Sequence, residues 1–491
     1  MYKHPEQERE EKHCVKLVRA MDNEQSPLNL HFIPFLAPGH LIPLCNIATL
    51  FAERGHRVTV ITTPSYAQIL RKSSPSLLLH VVDFPAQEAG FPDGVQLMSA
   101  ANDVESARKF YHASMLLRVP IIRFLEQHPP DCVVADFLCP WVHDVANNLR
   151  IPRLAFNGFS LFTVAAMETL RSNPELVSDA GPFVIPHFPH RITLCSRPPK
   201  GVTAFMERLL ETETKSDGLI VNNFVELDGE EYIQYYEKGK THKAWHLGPA
   251  CLAAKVGEER GDKSVVSEEE CVSWLNSKQA KSVVYVSFGS MCLFPDKQLL
   301  EMACGLEEAA HNFIWVVPEK KGKEDESEEE KAKWLPQGFE ERNKEKGLII
   351  RGWAPQLVIL AHNAVGAFLT HCGWNSTLEA VTAGVPMLTW PVLGDQFYNE
   401  RLVTEVRGVA VEVGAAEWRE TGYGEREKLI SRDCIEKGVR RLMDGGDEAE
   451  EIRRRAKEFS DKAKQALDDG GSSHNNLTAL IAHLTHLRDT L

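Results

Sequence analysis

The sequence has no run of apolar residues of transmembrane length, and its first twenty residues, MYKHPEQEREEKHCVKLVRA, contain no apolar signal core and are too acidic for a transit peptide. No membrane span or leader is therefore expected, and a soluble cytoplasmic protein is. Its 11 cysteines are odd in number and scattered, with no C-x-x-C and no metal-like spacing. They read as free thiols of a reducing compartment. No paired acidic metal motif is present. Asp325-Glu-Ser falls in the lysine- and glutamate-rich stretch Glu319 to Lys333, a solvated loop, and the adjacent His371-Cys372 have no further ligands around them. An excess of positive charge is also missing. A formal net charge of −14 at pH 7 disfavours nucleic acid and anionic membrane, so any bound anion must be held by local geometry. There are no short-period repeats. The glycine fingerprint of dinucleotide-binding dehydrogenases is absent too: the first strand-to-helix turn reads Ala37-Pro-Gly-His40 instead of G-x-G-x-x-G.

What is there is long enough for two cores. The 491 residues exceed what one hydrophobic core normally supports, and 43% hydrophobic with 25% charged residues is ordinary for a soluble globular protein. Residues 1–20 form a polar extension without an expected function. Leu28 to Pro34 reads as a strand, Ala37 to His40 as a turn, Leu41 to Arg54 as a helix stopped at Gly55, and His56 to Thr63 as a second strand. Further strands are expected at Asp131 to Ala135, Pro152 to Phe156 and Gly218 to Asn222. Helices and loops that shape a pocket are expected between about 75 and 215. Polar, charged composition around Gly248 to Glu270 marks a linker. A second alternating series then begins with the strand Ser282 to Gly289. It continues through a helix at Pro295 to Ala310, strands at Phe313 to Val317 and Gly347 to Arg351, helices at Asp433 to Met443 and Ala449 to Leu467, and a final amphipathic helix. The expected fold is α/β, with two doubly wound, Rossmann-like domains facing a cleft.

The second series contains the most informative stretch, Trp353 to Gln396, which is 44 residues long. Val365 to Thr370 is a short apolar strand and His371 to Trp374 a tight turn. Asn375 to Ala383 is a helix, with Asn375 or Ser376 suited to its cap and Gly384 to its stop, and Val385 to Trp390 is again a strand. A helix N-terminus with free N–H groups and roughly half a unit of positive charge is an anion site. Asn375, Ser376 and His371 add donors for a phosphate. Trp353 is suited to stacking on a flat base. Glu379, one turn beyond Asn375, can accept from a ribose diol. Asp395-Gln396, an acid beside an amide, suits several sugar hydroxyls. On the residues alone a capped helix with nothing bound is the commoner arrangement. In the first series, His40 follows the first strand and Asp136 ends another, so both stand where open α/β sheets bind ligands. A histidine oriented by a carboxylate is a base for a hydroxyl proton. A turn histidine bonded to backbone and a helix-capping Asp136 are the ordinary alternative.

The stretch resembles the 44-residue signature box of the plant secondary-product UDP-glycosyltransferases, which opens with Trp and commonly closes with Gln. The resemblance covers nearly the whole chain from Met21. It implies the GT-B architecture: an acceptor-binding domain over residues 21–250, a linker at 251–270, a UDP-sugar-binding domain over 271–468, and a segment at 469–491 that packs back on the first domain. It implies that Trp353 stacks on uracil and Ala354 uses its backbone on the base. Gln356 and Glu379 hold the ribose, and His371, Asn375 and Ser376 the diphosphate. Trp374, Asp395 and Gln396 hold the sugar. Ser290, in the Ser287-Phe-Gly-Ser turn, approaches phosphate or sugar. His40 and Asp136 match the family's catalytic pair. No metal and no cofactor are implied, since UDP-sugar is a co-substrate. The partners implied are UDP-glucose or a related UDP-sugar and a small lipophilic acceptor, acted on by a monomer.

The closing Gln396 favours glucose, with glucuronate, galactose and xylose donors as alternatives. Leu393-Gly394 replaces the family's more usual Phe-Ala before Asp395-Gln396. The flanks Ala89 to Asp93, Trp141 to Asp144 and Glu417-Trp-Arg resemble a branch acting on flavonoids, triterpenoids, steroids and phenolics. Asn157 stands where many relatives of that branch have His. The expected activity is inverting O-glycosyl transfer. The rival classes are a UDP-sugar-binding protein without turnover, against which His40 and Asp136 argue, and a nucleotide-dependent dehydrogenase, against which the missing glycine fingerprint argues.

Overall fold

The computed structural model describes residues 26–91, 104–178, 181–253, 266–289, 292–317, 326–419 and 428–490. The N-terminal extension, positions 254–265 of the expected linker, Pro92-Asp93, Ser290 and Asp325 lie outside them.

Among the described residues, nine strands belong to the first half: β1 (Asn29–Ile33), β2 (Arg57–Thr62), β3 (Leu78–Val81), β4 (Cys132–Asp136), β5 (Arg153–Phe156), β6 (Phe183–Val184), β7 (Thr193–Leu194), β8 (Gly218–Val221) and β9 (Lys243–His246). Six more follow: β10 (Val283–Ser287), β11 (Asn312–Val317), β12 (Gly347–Arg351), β13 (Val365–Thr370), β14 (Met387–Thr389) and β15 (Ala410–Glu412). They build a seven-stranded sheet in the order β3-β2-β1-β4-β5-β8-β9, a six-stranded sheet in the order β12-β11-β10-β13-β14-β15, and the small hairpin β6-β7. Both large sheets are parallel throughout. The central strands are buried on both faces. Cys132–Asp136 and Val365–Thr370 have no exposed residue, as strands covered by helices on each side must.

Strand order places the functional ends. In each sheet the chain winds one way from the first strand, then returns to wind the other way, which opens a crevice at the carboxyl ends of the two strands on either side of the reversal. In the first sheet these are β1 and β4, with register Leu30↔Cys132 to Ile33↔Ala135. In the second they are β10 and β13, paired up to Ser287↔Thr370. The helix that leaves β1 and the helix that leaves β13 meet: Asn375 Nδ2 donates to the Gly39 carbonyl at 2.8 Å. The two sheets therefore point their carboxyl ends at each other.

Further contacts tie the halves together. The helix Gln396–Arg401 continues as a wider π turn over Leu402–Val406 and packs on the helix Leu161–Ser172 and on β7. Arg407 beyond it donates from Nε to the Leu227 carbonyl at 2.7 Å and from Nη2 to the Asp228 carbonyl at 2.6 Å. The helix Ser472–Thr490 inserts Leu477, Leu480 and Leu484 into the core under the first sheet. Its Arg488 reaches the Ser26 carbonyl at 2.9 Å.

Three local expectations are corrected. Ala37 to His40 is not a free turn before a helix: the helix spans Pro38–Glu53 with Pro at its start, so His40 lies in its first turn. Neither Asn375 nor Ser376 caps its helix. The helix Trp374–Ala383 begins after Gly373, because Cys372 turns the chain at φ 63° one residue earlier. The stretch Glu319 to Lys333 is not all loop, since Ser327 and Glu330 form a reciprocal cap on the short helix Glu328–Lys331. The edge strand Lys243–His246 was not expected at all.

Candidate functional site

The first component sits at the crevice of the first sheet. Asp136 is the last residue of β4 and is fully buried. One carboxylate oxygen accepts from the Leu138 N–H at 2.9 Å and the other lies 2.8 Å from His40 Nδ1. A carboxylate can only accept, so Nδ1 carries the proton and Nε2 is left with its lone pair. The ring is flanked by Phe35 and Phe137, at 5.6 and 5.9 Å between centroids, and stays 23% exposed. Burial pulls the imidazole down. The charge of Asp136, its hydrogen bond and the charge of Asp395 outweigh it, so His40 rests above its ordinary 6.5. The pair can take a proton from a hydroxyl delivered to Nε2.

The second component is the start of the helix Trp374–Ala383. Its first amides have no intrahelical acceptor and point toward the first half. Asn375 spends its amide N on Gly39, while its Oδ1 is buried without a protein partner. His371 stands beside it, 9% exposed, with Nδ1 also unpartnered. Burial pulls this imidazole down to about 4, so it is neutral at physiological pH and donates through one N–H. The ring is boxed in by glycines. A Cβ on Gly373 would sit 2.4 Å from His371 Nε2 and one on Gly289 2.9 Å from it. Glycine at both positions lets the ring and the backbone amides share one small volume.

The third component extends along the same helix. Gln356 Nε2 donates to Ser376 Oγ at 3.1 Å and to Glu379 Oε2 at 2.7 Å, while its carbonyl accepts from Tyr285 OH at 3.2 Å. Gln356 and Glu379 are thus brought together, with Ser376 beside them. Trp353 follows β12 and is half-buried, and Ala354 behind it is buried.

The fourth component lies between the two. Burial pushes the Asp395 carboxyl up to about 6, against the hydrogen bond of Asn399 and the charge of His40, which hold it down. The next residue, Gln396, has its carbonyl oxygen committed: it accepts from Val392 N–H at 2.8 Å and Leu393 N–H at 3.0 Å. Its amide nitrogen donates to Cys292 Sγ at 3.9 Å, which leaves one N–H for a ligand. The Trp374 side chain turns away from this point, and its indole donates to the Asn222 carbonyl of the first half at 2.8 Å. What Trp374 offers to a ligand is its backbone N–H. Ser290 lies outside the described residues, next to Gly289.

Two buried polar groups escaped the sequence reading. Asn399 lies 0% exposed between the halves. Its signal was its place four residues beyond Asp395, on the same helix face. Glu213, 2% exposed, accepts from Tyr236 OH and from Asn157 Nδ2, the latter at 3.3 Å, and burial pushes its carboxyl up to about 7. Asn157 Oδ1 in turn accepts from Phe159 N–H at 3.0 Å, and the Phe159 ring stacks obliquely on Phe137 beside His40. Nothing local in the sequence pairs residues so far apart. Among the described residues no group of three or more His, Cys, Asp or Glu is arranged to hold a metal ion, and no helix is long and apolar enough to cross a membrane.

Residues 35–423 match the family model described as UDP-glucoronosyl and UDP-glucosyl transferase. UDP-glucosyl transferase 73CC6 of Saponaria officinalis is 45% identical over 483 residues, which cover 95% of this chain and 98% of that one. UDP-glucose flavonoid 3-O-glucosyltransferase 7 of Fragaria ananassa is 44% identical, over 94% of this chain and 96% of that protein. Among solved structures, UGT73P12 of Glycyrrhiza uralensis, complexed with glycyrrhetinic acid 3-O-monoglucuronide, superposes with a TM-score of 0.83 at 35% identity, over 95% of this chain and 97% of that one. The two facing, doubly wound sheets are the GT-B architecture of these plant enzymes. The chain belongs to the family of UDP-glucoronosyl and UDP-glucosyl transferases and is a UDP-glycosyltransferase.

Proposed function

We propose that the chain transfers glucose from UDP-glucose to a hydroxyl of a lipophilic plant metabolite, with His40 as general base, and inverts the anomeric centre. The observation that carries this reading is the contact between Asn375 Nδ2 and the Gly39 carbonyl. It joins the residue before the base to the second residue of the helix that would grip the diphosphate. Base and leaving group are then held on opposite sides of one small gap. The acceptor oxygen, losing its proton to Nε2 of His40, attacks the anomeric carbon from the face opposite UDP. A single displacement of that kind turns an α-linked donor into a β-linked product. Asp136 keeps the proton on Nδ1 and stabilises the imidazolium that forms.

On the donor side, the first amides of the helix Trp374–Ala383, with Asn375, Ser376 and neutral His371, would take the diphosphate. They are oriented before the ligand arrives and are partly shielded from water, which makes each donor worth more to the departing charge than it would be in solvent. Gln356 and Glu379 would take the ribose diol, and Trp353 with the Ala354 backbone the uracil. Asp395, the Gln396 amide N–H and the Trp374 backbone N–H would fix the sugar, and Ser290, outside the described residues, is a further proposed contact to phosphate or sugar. A divalent cation has no part in this scheme, so EDTA is expected to leave turnover unchanged. Loss of activity on chelation, restored by a divalent metal, would contradict it. Trp353→Ala is expected to weaken UDP binding by roughly 1–3 kcal/mol, the range for stacking of a base on an aromatic ring. Calorimetry with UDP measures this directly, and unchanged affinity would remove the stacking contact.

The acceptor class follows from the apolar wall around His40. Phe35, Phe137, Phe159 and the half-exposed Tyr111 crowd the same side of the crevice. Flat or polycyclic hydroxylated acceptors, flavonoid or triterpenoid, suit such a wall; the Fragaria ananassa relative is a flavonoid 3-O-glucosyltransferase, and the Glycyrrhiza uralensis enzyme is complexed with glycyrrhetinic acid 3-O-monoglucuronide. Glucose is preferred over glucuronate, galactose and xylose because the chain closes its signature box with Gln396. A mass-spectrometric screen of UDP-sugars against flavonol, triterpene and phenolic acceptors tests both choices. Products with glucose on flavonols or triterpenes are expected, and turnover confined to another donor would overturn the assignment of the sugar.

A further inference from the structure

We infer that Asn399 is a positioning residue that fixes the sugar-binding carboxylate of Asp395 and ties it to the acceptor half. The inference rests on the reading of Asp395 as a sugar ligand. Asn399 is fully buried and its amide is saturated. One N–H donates to Asp395 Oδ2 at 2.6 Å, and the other donates to the Cys372 carbonyl at 2.9 Å. Its Oδ1 accepts from Thr163 Oγ1 at 2.9 Å and lies 3.5 Å from Ser160 Oγ. Ser160 caps the helix Leu161–Ser172 of the first half, and its Oγ also accepts from the Thr163 N–H. One side chain therefore joins three things: the carboxylate, the turn before the diphosphate-binding helix, and the start of a helix from the other half.

Geometry makes this more than packing. Asn399 engages Oδ2 of Asp395, which restricts the carboxylate and keeps that oxygen from turning to a sugar hydroxyl in place of Oδ1. Cys372, held by the same amide, carries the left-handed backbone that a non-glycine residue rarely adopts. An Asn can serve both jobs because it donates twice and accepts twice. Aspartate at this position would place a second carboxylate against Asp395. Leucine would remove the donors to Asp395 Oδ2 and the Cys372 carbonyl and the acceptor of the Thr163 hydroxyl. The titratable group facing Asp395 from the first half is His40, with Asp136 behind it. A shift of Asp395 is therefore felt in the same crevice as the base.

The test is calorimetric binding of UDP and of UDP-glucose to the full chain, across pH, for Asn399→Ala, Thr163→Val and Asp395→Ala. Asn399→Ala is expected to weaken UDP-glucose about tenfold or more while UDP changes less than about twofold, as loss of a hydrogen bond to a charged group implies. It should also move the pH at which UDP-glucose binding is lost upward, since the bond that holds the Asp395 carboxyl down is gone. Thr163→Val, which keeps both donations of Asn399, should act in the same direction with a smaller effect. It supplies the answer if the alanine variant does not fold. Equal losses for the two ligands, or no change in either, would reduce Asn399 to a structural residue and overturn the inference. If Asp395→Ala itself leaves UDP-glucose affinity unchanged, the assignment of Asp395 falls and the inference falls with it. If Asp395→Ala weakens UDP-glucose and the other two variants do not, only the role of Asn399 is lost.

Discussion

Replacing His40 with alanine is expected to lower turnover by about 10²–10⁴-fold, the usual contribution of a positioned general base, while leaving UDP affinity within about twofold because the proposed diphosphate contacts come from the other half of the molecule. The expectation follows from the arrangement of the ring. Its Nδ1 is committed to Asp136, Phe35 and Phe137 flank the ring, and the side chain keeps 23% exposure, which leaves Nε2 as the nitrogen for a hydroxyl. The neighbouring Gly39 carbonyl, not the imidazole, carries the contact to Asn375. Initial rates with a flavonol acceptor, set beside UDP calorimetry on the same preparation, separate the two properties. Turnover within a factor of about three of the parent would remove His40 as the base, since a group worth so little does not carry proton transfer.

Asp136→Asn is expected to be nearly as damaging, for a reason that can be traced atom by atom. The Leu138 N–H needs an acceptor at the position of Asp136 Oδ1. The asparagine carbonyl therefore stays there and its NH₂ turns toward His40 Nδ1. Two donors cannot face each other, so the imidazole proton moves to Nε2, where the acceptor hydroxyl must deliver its own. A loss of about 10²–10⁴-fold in kcat is expected from the wrong tautomer. The pH profile should move as well. In the parent, His40 is held above 6.5, and the base form appears only as pH rises through that raised value. The asparagine removes both the charge and the charged hydrogen bond that hold it up. Burial is then the largest remaining influence, and it lowers the value. The acid limb of kcat/KM should shift toward lower pH even as the plateau falls. An unmoved limb would mean that another group, such as Asp395 near 6, sets it.

Much of this site was legible before any coordinates, because its parts lie in consecutive elements. The stretch Trp353 to Gln396 contains β13, the helix that carries Asn375, Ser376 and Glu379, β14 and the turn that presents Asp395, so most residues of the proposed donor side lie in one continuous segment. Central parallel strands are equally plain, since burial on both faces writes them as unbroken apolar runs such as Cys-Val-Val-Ala and Val-Gly-Ala-Phe-Leu. Asp136 was legible as a strand-end residue and His40 as one that follows the first strand, although their mutual contact, across 96 positions, is a property of the strand order.

What stayed hidden has physical causes. The strand Lys243–His246 is short and lies at the sheet edge, where Lys-Ala-Trp-His gives no alternation. The start of the helix at Trp374 was misplaced because Asn and Ser are good caps in general, whereas here Cys372 and Gly373 make the turn and Asn375 is used across the gap instead. The side-chain directions of Trp374 and Gln396 depend on carbonyls and amides elsewhere in the fold. Asn399 finds its acceptor-side partners 236 and 239 residues away. No local pattern encodes such contacts.

The central claim is that UDP-sugar is gripped by the second half with its anomeric carbon presented to the imidazole of the first. A crystal structure of the chain with UDP-glucose tests it most directly. The uracil is expected on Trp353, the diphosphate at the first amides of the helix Trp374–Ala383 beside His371, and the glucose between Asp395 and Nε2 of His40. A diphosphate bound elsewhere, or a sugar directed away from His40, would contradict it.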